Sequence, residues 1–118
     1  MYAQRIAIPV TTDASGNATV YSPSGVMGRI QAVAYVKGTF DNGVDFTITL
    51  ESTGESLWTD TDVNASEIVY PVQKANLGGT GVASTITEVP IVAANDRVKI
   101  VIAQGGNAKT GTFILVVT

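Results

Sequence analysis

The chain of 118 residues contains no histidine and no cysteine. The first absence removes the commonest general base and metal-ligating side chain, and the second removes thiolate chemistry and every disulfide. Stability must come from packing alone, and the redox compartment leaves no mark. Charge is scarce as well: 14% of residues are charged, against about a quarter in an average soluble domain. A surface so poor in charge suits a protein that hides part of its exterior against partners. The net charge is −3, and the seven basic residues, Arg5, Arg29, Lys37, Lys74, Arg97, Lys99 and Lys109, are scattered. Only Arg97 and Lys99 lie close together, at alternate positions that share a strand face. Two charges cannot neutralise a run of phosphates, so direct DNA or RNA binding is not expected. Helical patterning is missing too, because Gly, Thr and β-branched residues interrupt every window in which a 3.6-residue period could start. No apolar run approaches the roughly 18 residues of a membrane span. The segment MYAQRIAIPV, broken by Arg5 and Pro9, lacks the apolar stretch of a secretory signal. The expectation is a single domain over residues 1–118, a whole protein made in the cytoplasm and without a membrane partner.

What the chain does contain is strand pattern. Val44, Phe46, Ile48 and Leu50 alternate with Asp45, Thr47, Thr49 and Glu51, the period of two that marks a half-buried strand. Gly28 to Gly38 alternates less cleanly, and the intervening Asp41-Asn42-Gly43 predicts a tight hairpin between these strands. Arg97 to Gln104 and Thr112 to Val117, joined through Gly105-Gly106-Asn107 and Gly111, predict a second hairpin. The final strand is almost continuously apolar, so it is buried on both faces or covered by a partner on one. Tyr2 to Val10, Ala18 to Ser22, Glu67 to Gln73 and Ser84 to Val92 complete about eight strands. Pro71 and Pro90 favour edges or strand ends, and Lys74 to Ala83 reads as a long flexible loop. Short strands at even spacing predict an all-β, antiparallel sandwich, a jelly roll of about eight strands.

Three stretches invite a chemical reading. Asp60-Thr61-Asp62-Val63-Asn64 opens like a calcium loop, but Ala65 stands where Gly is needed and Pro71 where a bidentate Glu is needed. A polar turn explains the same residues. Gly105 to Thr112 faintly echoes a phosphate loop, yet Ala108 precedes Lys109 and a strand follows where a helix would be required. Paired carboxylates could support glycoside-hydrolase chemistry, but Asp13, Asp41, Asp45, Glu51, Glu55, Asp60 and Asp62 stand in turns or on polar strand faces, without a desolvating pocket. Asn17-Ala18-Thr19 and Asn64-Ala65-Ser66 match a glycosylation pattern that needs a secretory route. No catalytic residue, metal or cofactor is therefore expected. The only tryptophan, Trp58, follows Leu57 in a short apolar island. It is core, an interface anchor or a sugar-stacking platform.

Several pieces together resemble small virion structural proteins of tailed bacteriophages: Gly28-Arg29-Ile30, Tyr35-Val36-Lys37-Gly38, Gly43 to Thr49, Trp58-Thr59, Tyr70-Pro71, Gly105-Gly106-Asn107 and Gly111-Thr112-Phe113. They span most of the chain. The resemblance implies a non-enzymatic virion component, of the capsid decoration or cement kind, that binds the major capsid protein on the outside of the head as a homotrimer. A head-to-tail, tail or fibre component is the alternative within the same resemblance, and the jelly-roll expectation also admits a carbohydrate-binding module. Leu57, Trp58, Leu77 and Val82 are the candidate contact residues.

Overall fold

The structure, a computed structural model, describes residues 3–118. Its strands are β1 (Gln4–Thr11), β2 (Ala18–Tyr21), β3 (Val26–Val36), β4 (Val44–Leu50), β5 (Ser56–Val63), β6 (Glu67–Val69), β7 (Val72–Asn76), β8 (Ala83–Asp96), β9 (Val98–Ala103) and β10 (Thr110–Val117). No helix occurs among the described residues.

The pairing follows one rule. β1 pairs with β10, β2 with β9, β3 with β8 and β4 with β5, all antiparallel. The chain is thus one long hairpin turning at β4–β5, and it folds over on itself so that successive pairs fall in alternate sheets. Two further ladders, β3–β10 and β4–β9, join the pairs within the larger and the smaller sheet respectively. The larger sheet runs β1-β10-β3-β8-β7 with β6 also on β3, and the smaller runs β2-β9-β4-β5. This is the jelly roll expected from the strand count, with β6 and β7 inserted between β5 and β8.

Neither predicted hairpin forms. β3 lies in the larger sheet and β4 in the smaller, so Lys37 to Gly43 is an arch between layers. Phe40, in the middle of that arch, is buried, and the Gly43 amide donates to Val63 O and Asn64 Oδ1 instead of closing a β3–β4 turn. β9 and β10 are likewise split between sheets. The reason is physical: the apolar faces of consecutive strands gain most by meeting across the core, and a seven-residue arch with a buried ring permits it. Two other expectations change. Glu67 to Gln73 breaks at Tyr70-Pro71 into β6 and β7, and Asp60 to Asn64 is largely strand, as part of β5.

The core is filled by the inward-facing residues of both sheets, among them Ile8, Ile30, Val33, Ile48, Ile100 and Leu115. At its centre an aromatic group forms: Phe46 meets Trp58 edge-on at 4.7 Å, and Tyr35 lies 5.1 Å from Phe46 and 5.2 Å from Phe113. Gly111 is small for a reason, since a Cβ there would fall 2.5 Å from the Phe40 ring. β8 is longer than the sandwich. Its residues Ile91 to Asp96 pair with β3, while its first half pairs with β7 alone as a projecting arm. The radius of gyration, 14.9 Å, exceeds the roughly 13.5 Å of a compact chain of this length because of that projection.

Candidate functional site: one uncovered apolar face

The two sheets turn different faces to water. Across the smaller sheet, cross-strand pairing sets Thr19, Val101, Thr47 and Thr59 in one outward row, and Tyr21, Lys99 and Thr49 in the next. This is the polar exterior of an ordinary half-wet sheet. Across the larger sheet, the register places Ala7, Ile114, Ala34 and Ile68 in a single outward row over four strands. Val116 flanks it on one side, beside a buried Ala32, and Val36 on the other. Beyond β3 the face continues through Met27, Val92 and Ala94, with Met27 and Val92 well exposed. Arg5 and Arg29 stand on it without an ion pair among the described residues, whereas Lys74 and Glu88, on the same side of β7 and β8, pair with each other at 3.4 Å. β10 alternates strictly, with Phe113, Leu115 and Val117 buried inward and Ile114 and Val116 half-buried outward. A strand apolar on both faces is one that needs a second cover.

The arm extends this surface. In the segment leading to it, Val69 and Pro71 turn inward, and Ile68, Tyr70 and Val72 are exposed. Lys74 pairs with Glu88, but Asn76 pairs with Ala83, so Ser84 to Thr87 oppose Ala75 alone. The resulting bulge is held from within: Ser84 is buried, and its Oγ accepts the amides of Ile86 and Thr87 at 3.2 and 3.1 Å. Ile86 is thereby pushed outward to 87% exposure. Bulges re-aim side chains, and this one aims an isoleucine into water. At the tip, Leu77 and Val82 are exposed on a tight turn closed by the Leu77 and Val82 backbones.

The four candidate contact residues therefore separate. Leu77 and Val82 lie on the arm. Leu57 and Trp58 are core residues, 6% and 9% exposed, and are unavailable as surface contacts. A second bulge explains how two consecutive residues point inward: Ile48 faces Trp58 and Thr49 faces Ser56, leaving Leu57 as the extra residue. Sequence reading missed the face of the larger sheet, although the apolar terminal strand was its visible sign.

The other stretches are occupied structurally. Asp45 Oδ1 accepts the Asp62 amide at 2.9 Å and Asp60 Oδ1 accepts that of Thr61 at 2.9 Å, beside an open hollow of about 440 Å³ lined by Asp60 to Glu67. Among the described residues no three carboxylates converge there or elsewhere on a common point. The glycine-rich arch is spent on internal contacts. Asp41 N donates to Gly105 O, Gly105 N to Gly16 O, and Thr12 Oγ1 to Gly106 O. Glu51 is held below the usual carboxylate range by the Arg97 guanidinium, which donates to its two oxygens at 2.8 and 2.6 Å. That direction is opposite to what a catalytic acid requires.

No protein-family model matches the chain, and no curated protein matches it. Solved structures resemble it remotely. A protein named FLHE shares 10% identity at a TM-score of 0.48, over 98% of this chain and 96% of that one. A structure of Bacillus endospore appendages, described as disulfide-linked pili, shares 18% at 0.41, over 98% and 83%. A structure of infectious bursal disease virus, Gt strain, shares 12% at 0.38, over 98% of this chain and 32% of that one. None of these three is a tailed-phage protein, and no functional conclusion rests on them.

Proposed function

We propose that this chain is a virion structural protein of the tailed-phage capsid decoration kind, assembled in the host cytoplasm and bound as a homo-oligomer to the major capsid protein on the outside of the head. One observation carries this reading: the uncovered apolar surface is gathered on one side of a rigid jelly roll, while the other side is threonine-rich and polar. Such one-sidedness is what a module needs to attach flat to a larger assembly and leave a wet exterior. The sequence resemblance supports a virion component, and the position on the outside of the head is part of the proposal. The mechanism needs no reaction, metal or cofactor: a protein that binds only the expanded shell stabilises it by its binding free energy, repeated over many copies. The acidic balance suits the outside of the head, away from packaged DNA. A lectin reading loses its main support, because Trp58 is packed on Phe46 and offers no platform to a sugar.

The test is binding of the purified protein to expanded and unexpanded phage shells that lack it. Saturable co-sedimentation with expanded shells, and greater resistance of those shells to heat, are expected. A folded protein that binds neither form overturns the reading.

A further inference from the structure

We infer that Asn42 is a latent deamidation site, and that the side chain of Asn64 sets how fast it reacts. The inference goes beyond the virion reading and does not depend on it.

Among the asparagines of the chain, only Asn42 is followed by glycine. That pairing is the most prone to deamidation, because the nucleophile is the backbone nitrogen of the next residue and glycine has no side chain to shield it. The Gly43 nitrogen loses its proton and attacks Cγ of Asn42, and the side-chain nitrogen leaves as ammonia. A five-membered succinimide results. Water, the only co-reactant, then opens either carbonyl and leaves aspartate or isoaspartate at position 42. That position is exposed, so water reaches it freely. The fold cannot avoid the labile pair. Gly43 has a φ of +86°, a left-handed conformation that glycine adopts without cost. A Cβ there would meet nothing closer than Asp62 Oδ1 at 3.8 Å. The glycine is kept for its backbone and not for want of space.

The same structure disarms the nucleophile. In a two-residue hairpin the ladder bond runs between the flanking residues, and the amide of a central glycine has no partner. In the arch between the sheets, the Gly43 amide instead donates to Asn64 Oδ1 at 2.8 Å and to Val63 O at 3.2 Å. To attack, the nitrogen must give up both bonds and turn towards the Asn42 side chain. Asp62 adds a carboxylate beside it, and negative charge there opposes deprotonation of the amide. The two acceptors differ in kind. Val63 is buried at the end of β5 and pairs with Val44, so its carbonyl is fixed by the core. Asn64 is exposed, and its side chain is the guard that a substitution removes without disturbing the packing. The product matters to the fold, since isoaspartate adds one atom to the main chain of the arch that seats the buried Phe40 ring.

The rate at position 42 tests the inference. Folded protein is incubated in warm, mildly alkaline buffer and read by peptide mass spectrometry with an isoaspartate assay, and the same chain unfolded in urea gives the unguarded rate. Folded wild type should deamidate at Asn42 about thirtyfold more slowly than the unfolded chain, the worth of two hydrogen bonds, and Asn64→Ala about fivefold faster than folded wild type, the worth of one. Asn64→Asp, whose carboxylate still accepts the Gly43 amide, should react at the wild-type rate or below it. Hydrogen exchange locates the effect: in Asn64→Ala the Gly43 amide should exchange faster, while those of Phe46 and Ile48 in β4 stay protected. Equal rates in folded and unfolded wild type overturn the proposal, as does an Asn64→Ala variant that reacts no faster than wild type. Acceleration accompanied by faster exchange throughout β4 overturns it too, because general loosening and not the lost side-chain acceptor then sets the rate.

Discussion

Replacing Tyr35 by Phe should make the protein more stable. Tyr35 sits on β3 at 1% exposure, with its ring 5.2 Å from that of Phe113 and 6.2 Å from that of Phe40. Its hydroxyl finds no hydrogen-bond partner among the described residues. A buried polar group left unpaired costs about 1–3 kcal/mol. Phenylalanine keeps the ring packing and removes the cost, so a gain of about 1–2 kcal/mol is expected at neutral pH. In a domain of this size each kcal/mol moves Tm by about 4 °C, so the variant should melt about 4–8 °C higher. A second signature lies at alkaline pH. Burial pushes the Tyr35 pKa up from 10.0 to about 12, so the folded state keeps a proton that the unfolded state releases near pH 10. The unfolded state then binds fewer protons, and stability falls as pH rises from 10 towards 12. Tyr35→Phe should lose that part of the alkaline decline. Thermal melts of both proteins at pH 7, and denaturant titrations stepped through pH 9 to 12, measure the two effects, and the difference between proteins cancels the other tyrosines. A variant that melts at or below wild type at pH 7, with an undiminished alkaline decline, would refute the reasoning.

Trp58→Ala should destabilise by about 3–5 kcal/mol, as loss of a buried aromatic does, so chemical denaturation should show a large loss of stability rather than a folded protein deficient only in binding. Gly111→Ala should cost about 1–3 kcal/mol through overpacking, because the new methyl would meet the Phe40 ring at 2.5 Å; a Phe40→Leu background, which clears that ring, should reduce the penalty in the same melt. Asp96 lies buried at the β8–β9 corner and accepts the Ser52 amide at 3.1 Å and its hydroxyl at 2.5 Å. Asp96→Ala should therefore cost about 1–3 kcal/mol in denaturant titration, and Ser52→Ala less, since it leaves the amide contact in place.

Much of the architecture could be read from residue order. The alternation of Val44 to Leu50 placed Val44, Phe46, Ile48 and Leu50 on the buried side, where they are found. Eight strand signals without helical period pointed to a jelly roll; seven of them are jelly-roll strands, Glu67 to Gln73 supplies the inserted β6 and β7, and the eighth jelly-roll strand, β5, gave no strand signal. Two strands escaped or were misjudged for local reasons. β5 contains register shifts at both ends of its pairing with β4, so its period of two is broken and Leu57 and Trp58 both face inward. The tip segment Lys74 to Ala83, read as a loose loop, contributes the end of β7 and a closed turn.

Class, and the inward residues of the regularly alternating strands, were thus determined by sequence, because in such a strand inward or outward direction depends on a residue's place in its own alternation. Which sheet each strand joins was decided only in three dimensions. Asn42-Gly43 suits a hairpin chemically, but the cross-core contact of β3 with β4, bridged by Phe40, outweighs it. The open face has the same origin. Ala7, Ala34, Ile68 and Ile114 are unremarkable in four separate strands, and they become one apolar row only when the register of β1, β10, β3 and β6 brings them side by side. Burial of an apolar side chain requires a partner surface, and which surfaces remain without one is a property of the assembled sheets that no single strand contains.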